Sequence, residues 1–280
     1  MRNEVRNCYA VGGLTFSVEG PDYEENDVLR KFRCGSEKAD IETSVVPVEK
    51  VELPEGKILY EDSLRRYYRT KEGIVRVFVD ELDNGVLLAD YPKRERHEVH
   101  FREEREQYFG SNLALKIMDM PHRVIAHGGV FLHASFIEYE GEAILFTAAK
   151  QVGKSTQASL WEKTRGAKIV NGDRALLRKR DGTWYAWGSP YAGTSKITEN
   201  RALPVRTVVI LSQDKESRAK KTDVRRAFSA MLDGTTFDTW NKEEVAGVSG
   251  ICGEIITDVR FCELACRPDE SAVRALEEIL

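Results

Sequence analysis

The chain has too few cysteines, in the wrong arrangement, for a cross-linked or zinc-built fold. Its five (Cys8, Cys34, Cys252, Cys262 and Cys266) are an odd number with no Cys-x-x-Cys spacing. That excludes a disulfide scaffold and a cysteine-rich metal site, and predicts reduced thiols in a cytoplasm. Long apolar runs are missing as well: none approaches the ~18–20 residues of a membrane span. The opening MRNEVRNCYA has no signal-peptide character, so no membrane partner is expected. Excess positive charge is absent, the formal net charge being −4, which argues against nucleic acid as a partner. Basic clusters such as Lys93-Arg94-Glu95-Arg96 are interrupted by acids and read as solvated faces. There is no internal repeat, low-complexity tract or Pro/Ser-rich linker, so a domain junction shows only as a change of composition near residue 110.

What is present is a chain of 280 residues, 41% apolar and 31% charged, enough to bury a core and keep a solvated surface. Residues 1–110 are β-rich and carry no catalytic constellation. Residues 14–18 alternate apolar and polar, and two strand patterns at 74–79 and 86–88 flank Asp83-Asn84-Gly85, a strong hairpin signal. The run 45–51, interrupted by Pro47, reads as an edge strand. His97 and His100 in RERHEVHF read as an exposed strand face. The expectation is an antiparallel sheet assembly that packs on the second half or presents substrate to it. From Asn112 the spacing of Leu113, Leu115, Ile117 and Met118 is helical, Pro121 breaks it, and Gly128-Gly129 ends it. His122 and His127 share no helical face and read as surface or capping residues.

The informative stretch is 130–174. AILFTAAKQVGKST reads as a buried strand, a short loop and the first turn of a helix. Gly153-Lys154-Ser155 at such a junction is the core of a phosphate-binding loop. Backbone N–H groups and the helix N-terminus face the anion, the lysine reaches the outer phosphates, and the hydroxyl binds Mg²⁺. The nucleotide-binding residues are therefore Lys150, Gln151, Val152, Gly153, Lys154, Ser155 and Thr156. The full pattern, G-x-x-x-x-G-K-[ST], opens on glycine, where this chain has Ala148; alanine serves if φ stays negative. The plainer alternative is a chance tripeptide whose serine caps the helix. His133 lies in the strand hairpinned onto the loop strand, which can deliver it beside the phosphates. After the helix, KIVN ends in Gly172-Asp173-Arg174, where an acid is placed to bind Mg²⁺ or orient an attacking hydroxyl. The loop GSPYAGTSKITENR adds Lys196 and Arg201 as cations and is a candidate cover for a phosphorylated ligand. Further strands at 207–211 and 260–266 and helices at 222–232, 242–256 and 269–280 complete the pattern. Cys262 and Cys266 share one strand face and read as packing residues.

The order His133-Ala134-Ser135, TAAKQVGKST, VNGDR resembles the catalytic domain of HPr kinase/phosphorylase, which is similar in turn to the nucleotide site of phosphoenolpyruvate carboxykinase. GSPYAGTSKITENRALPVRTVVIL and RFCELACRPDESAVRALEEIL are similar to the smaller HPr kinase-like proteins, some of which accompany peptide-modifying systems. The resemblance covers roughly residues 112–280. It implies an α/β P-loop kinase domain with a mixed sheet over 111–280; the β-rich region over 1–110 is not matched by the family and is expected, apart from the resemblance, to recognise the acceptor. It also implies that Lys154 holds nucleotide phosphates, that Ser155, helped by Thr156, and Asp173 ligate Mg²⁺, and that His133 stands near the transferred phosphoryl group. The family has two adjacent aspartates before the arginine; here the first position is Gly172.

The expected function is an Mg²⁺–ATP-dependent kinase acting on a hydroxyl of a peptide, protein or small molecule, with Asp173, His133, Lys154 and Arg174 as catalytic residues. A homo-oligomer is compatible with the sequence. The alternative is a non-catalytic nucleotide-binding regulator that retains the loop, a reading favoured by Gly172 and Ala148.

Overall fold

The computed structural model describes residues 4–92 and 96–280, so most of the Lys93-Arg94-Glu95-Arg96 cluster lies outside the described residues. The chain is mixed α/β and divides into two compact units, Met1–Met120 and Pro121–Leu280.

The first unit holds strands β1 (Glu4–Val11), β2 (Leu14–Pro21), β3 (Arg33–Cys34), β4 (Ile41–Val48), β5 (Lys57–Glu61), β6 (Arg65–Arg69), β7 (Ile74–Val79), β8 (Val86–Pro92) and β9 (His97–Arg102), with helices α1 (Asp27–Arg30) and α2 (Ser111–Met118). The strands form one sheet in the order β3-β1-β2-β4-β9-β8-β7-β6-β5. It is mixed rather than antiparallel, because β4 runs parallel to both β2 and β9. The segment between β2 and β4, carrying α1 and β3, is long enough to return the chain in the same direction. The proline strand is not at an edge: β4 lies inside the sheet. Pro47 is tolerated because the ladder to β2 ends at Ser44, leaving β9 alone beside it. Strand β9 is interior too, and its histidines are half-buried against acids. His97 Nδ1 lies 3.0 Å from Asp90 Oδ1 and His100 Nε2 2.9 Å from Glu98 Oε1. The hairpin between β7 and β8 forms as its Asp-Asn-Gly signal predicts, with Asn84 at φ 58°. Helix α2 belongs to this unit, which moves the division downstream of position 110. The Asn26 N–H donates to Ser111 Oγ at 2.8 Å, and Lys116 Nζ lies 4.6 Å from the Phe78 ring centre.

The second unit contains α3 (Met120–Arg123, from Pro121 onward), β10 (Gly129–Tyr139), β11 (Glu142–Thr147), α4 (Lys154–Arg165), β12 (Lys168–Asn171), β13 (Arg174–Arg180), β14 (Thr183–Trp187), β15 (Ala202–Gln213), β16 (Arg218–Lys221), α5 (Val224–Gly234), α6 (Lys242–Asp258), β17 (Arg260–Cys266) and α7 (Glu270–Glu277). Its eight strands form a mixed sheet whose pairings run β11-β10-β13-β14-β15 and return to β11, so the ladder closes on itself. Strands β11, β15 and β17 are parallel. Alternation along β10 and β11 divides the core. Leu132, Ala134, Phe136 and Leu145 join α5 and α6 in one cluster. Ile137, Ile144 and Phe146 join Trp161 of α4, Leu276 of α7, and Cys262 and Cys266 in the other. A bidentate pair, Arg165 Nε and Nη2 to the Glu277 carboxylate at 2.6 Å each, ties the end of α4 to α7. Among the described residues no helix is long and apolar enough to cross a membrane.

Candidate active site

The apolar run of β11 ends at Thr147, the turn spans 148–153, and α4 begins at Lys154. The turn uses two left-handed residues, Gln151 at φ 64° and Gly153 at φ 119°, while Ala148 is not among the positive-φ positions. The glycine of the full motif is thus not needed where this chain has alanine. The N-cap of α4 is Gly153, which has no side chain to cap with, and Ser155 lies inside the helix with its side chain exposed beside Thr156. Serine is therefore not the cap of this helix. Its first-turn N–H groups have no cap from the Gly153 position, the arrangement that suits an anion.

Lys154 is nearly buried, at 9% exposure. Its Nζ donates to the carbonyls of Ala148 at 3.1 Å and Ala149 at 3.3 Å. Burial pushes its ammonium below the ordinary lysine range, against the pull of the Asp173 carboxylate. The lysine is folded onto its own loop, and the same two alanines border a cleft of about 500 Å³ lined also by Thr147, Val152, Arg226 and Gly234. The cleft opens at the carboxyl ends of the parallel strands β11 and β15, where α/β sheets bind ligands.

Strand register brings His133 and Asp173 together. The first half of β10 pairs with β13, with His133 opposite Arg174, and its second half pairs with β12. The β12–β13 link, Gly172-Asp173, falls where the partner changes. On the other side of β10, Ala134 pairs with Thr147, the last residue before the loop. The His133 side chain, odd-numbered on β10, points to the face that α4 covers. His133 Nε2 lies 3.3 Å from Asp173 Oδ1, and Arg174 Nε 3.6 Å from Asp173 Oδ2. The hydrogen bond from His133 holds the Asp173 carboxyl below the ordinary range, against burial and with help from the charges on Arg174 and Lys154.

Residues not singled out in the sequence hold this turn in place. Asn171 is fully buried; its Oδ1 accepts from the N–H groups of Asp173 at 2.9 Å and Arg174 at 2.8 Å. Its Nδ2 donates to Ser189 O at 2.9 Å and Thr198 Oγ1 at 3.1 Å. Behind the turn lies the segment 188–199. Gly193, at φ 58°, comes so close that a Cβ there would sit 2.9 Å from Asp173 Cβ and Cγ. A Cβ on Gly172 would overlap the Ser195 hydroxyl. Ser195 thus occupies the space that a side chain at position 172 would need. Arg174 is anchored by Nη1 to Thr236 Oγ1 at 2.6 Å. The only signals for these roles are the Asn-Gly turn and the hydroxyl-rich loop, neither of which names a partner.

The geometry thus brings together Lys154, His133, Asp173 and Arg174 around one turn, with Ser155 and Thr156 exposed at the helix start. Lys150 and Gln151 are exposed on the loop, and Val152 packs partly against the core. Lys196 is exposed at φ 54°. Arg201 is not a cation for ligand: it forms a bidentate pair with Glu138 of β10 at 2.5 and 2.8 Å.

No protein-family model matches the chain, and no curated protein matches it either. Among solved structures it is similar to the Hpr(Ser) kinase/phosphatase from Coxiella burnetii, at 14% identity and a TM-score of 0.31, over 53% of this chain and 90% of that one. That is a distant likeness of fold.

Proposed function

We propose that the chain is an Mg²⁺–ATP-dependent kinase that transfers the γ-phosphoryl group to a serine-like hydroxyl on a peptide, protein or small molecule. The observation that carries this reading is the Asp173–His133 pair at 3.3 Å, whose carboxylate also acts on the buried lysine of the Gly-Lys-Ser turn. Phosphoryl transfer asks for positioning and charge neutralisation more than for covalent chemistry. On this reading the backbone of 150–153 and the first turn of α4 hold the phosphates. Lys154 leaves its carbonyl partners to neutralise the outer ones, and Arg174 and Lys196 add positive charge. The exposed Ser155 hydroxyl, Thr156 beside it and the ionised Asp173 are hard oxygen donors that suit Mg²⁺. When bound, that ion supplies charge neutralisation across the phosphate oxygens.

Asp173 orients the acceptor hydroxyl and takes its proton as the bond to phosphorus forms. A carboxylate held below its ordinary pKa is a weak base, so orientation is its larger contribution. His133 fixes the carboxylate and stands beside the phosphoryl group. The β-rich first unit selects the acceptor.

The test is ADP release from ATP with Mg²⁺, with and without serine-containing peptides, for wild type, Asp173→Asn and Lys154→Ala. Turnover lost in Asp173→Asn while nucleotide binding persists supports the kinase. A second reading, a nucleotide-binding regulator without chemistry, is favoured by the single carboxylate that Gly172 and Ser195 impose. Tight nucleotide binding with no ADP release above the Asp173→Asn background would select it.

A further inference from the structure

The geometry points to a second divalent-cation site, separate from the nucleotide site, formed by His122, Asp238 and Glu244. Two parts of the chain supply it: α3, and the connection between α5 and α6 with the adjoining first turn of α6, where Glu244 lies 122 positions after His122. His122 Nδ1 lies 2.8 Å from Glu244 Oε2 and 3.9 Å from Asp238 Oδ2. All three ligand atoms fall within 4.8 Å of one another. Ligands on a common zinc-sized ion, bonded at ~2.0–2.1 Å, lie roughly 3.3 Å apart in a tetrahedron. The set therefore needs only side-chain adjustment to close on an ion.

The second observation is that both oxygens of the Glu244 carboxylate are already held in position by neighbouring donors. Asp238 N–H donates to Oε2 at 2.9 Å and Asn241 Nδ2 to Oε1 at 3.1 Å. Supporting bonds of this kind hold metal-binding carboxylates in place. Two carboxylates carry two negative charges, which outweigh the roughly half positive charge of the α6 N-terminus. One imidazole with two carboxylates suits Zn²⁺, Co²⁺ or Mn²⁺ better than Mg²⁺ or Ca²⁺, which prefer an all-oxygen set. The side chains are 13–18% exposed, so water can enter and complete the coordination. In binding, the proton that His122 Nδ1 gives to the Glu244 carboxylate leaves to solvent, and the imidazole, protonated on Nε2, offers the Nδ1 lone pair; no redox change is involved.

The site would fix the segment 235–241. Thr236 in that segment anchors Arg174, and its N–H donates to Phe131 O at 3.1 Å. The cation thereby steadies the arginine of the turn; this consequence rests on the kinase reading, whereas cation binding does not.

The probe is Co²⁺, titrated into the EDTA-treated full chain without nucleotide and followed by calorimetry, absorption and amide exchange. Binding of about one equivalent is expected, with d–d bands, no sulfur-to-cobalt band, and slowed exchange at 235–241. Asp238→Asn, Glu244→Gln and His122→Gln should each weaken binding by at least ~10–100-fold, the loss known for supporting groups alone. Should Glu244→Gln fail to fold, His122→Gln decides, since it removes no helix cap. No Co²⁺ binding by wild type, or binding unchanged in His122→Gln and Asp238→Asn, would reduce the cluster to an ion pair and overturn the inference. Because no nucleotide is present, either result leaves the kinase reading to be judged on its own assay.

Discussion

The arginine pairs of the first unit and the turn of the second treat charge in opposite ways. In the first, Arg76, Arg102 and Arg105, each largely covered, are matched at short range. Arg76 pairs with both Asp90 and Asp119. Arg102 Nη2 and Arg105 Nε reach Asp80 Oδ2 at 2.7 and 2.6 Å, and both arginines also bind Asp83. In the second unit the charges at the turn are held loosely. Lys154 rests on neutral carbonyls, and Asp173 meets His133 at 3.3 Å and Arg174 at 3.6 Å. Tightly matched charge builds structure. Charge left with long or neutral partners remains available to a ligand, and such groups cluster at functional sites.

That contrast is open to a direct test with the same chemical change made in each unit. Asp173→Asn should lower turnover by ~10²–10⁴-fold, the range for losing a catalytic acid–base group, with nucleotide affinity kept and the urea midpoint lowered only slightly. Asp90→Asn, at a carboxylate only 2% exposed that faces Arg76 and His97, should do the reverse. Breaking a buried pair by removing one partner costs about 3–5 kcal/mol, read as a lowered urea midpoint, while nucleotide affinity stays. A large kinetic loss in Asp90→Asn with stability intact would break the comparison.

The next effect concerns the turn's neighbour. Gly193→Ala places a methyl against the Asp173 carboxylate and forces alanine to φ 58°, a conformation costing ~1–2 kcal/mol. Turnover should fall with nucleotide affinity kept. Gly172→Asp should be inactive as well, since its side chain meets Ser195. Adding Ser195→Gly should restore activity by making room for the new side chain. If Gly172→Asp alone raised turnover, the space-filling role of Ser195 would be wrong.

Legibility in the sequence followed the range of the interaction. The strand–turn–helix at 142–165 and the hairpins were readable because alternation and Gly/Asn turns act over a few residues. The placement of Lys154 and Ser155 at the start of α4 came with them. The antiparallel expectation for the first sheet failed because direction is set by the crossover before β4, which no local pattern records. Arg201 looked free in its loop because its partner Glu138 is 63 positions away. Asn171, Ser195 and Thr236 were missed for the same reason: each matters only through a partner that the fold supplies. His122 was read as a surface or capping residue, and only the α6 start shows why it is half-buried.

The smallest expected effect separates the units by pH. Asp173 is held below the ordinary carboxyl range, chiefly by the hydrogen bond from His133. The unfolded group titrates near ~3.9, so between that value and the lower native one the unfolded chain binds more protons. Stability from Asp173 is therefore complete above the unfolded value and is lost as pH falls through the native one. In urea titrations from neutral pH downward, wild type and Asp173→Asn should differ by a constant amount until about pH 4, then converge. Asp80 in the first unit is also held low: burial raises it, but the Leu82 N–H and Arg105 outweigh that. Asp80→Asn should show the same shape with a larger plateau, because its arginine partner is nearer and less exposed. A gap for Asp173→Asn that closed well above pH 4 would mean that its carboxyl titrates high. The loose charge at the turn would then be an acid held neutral, and Asp173 could not accept the proton of an incoming hydroxyl.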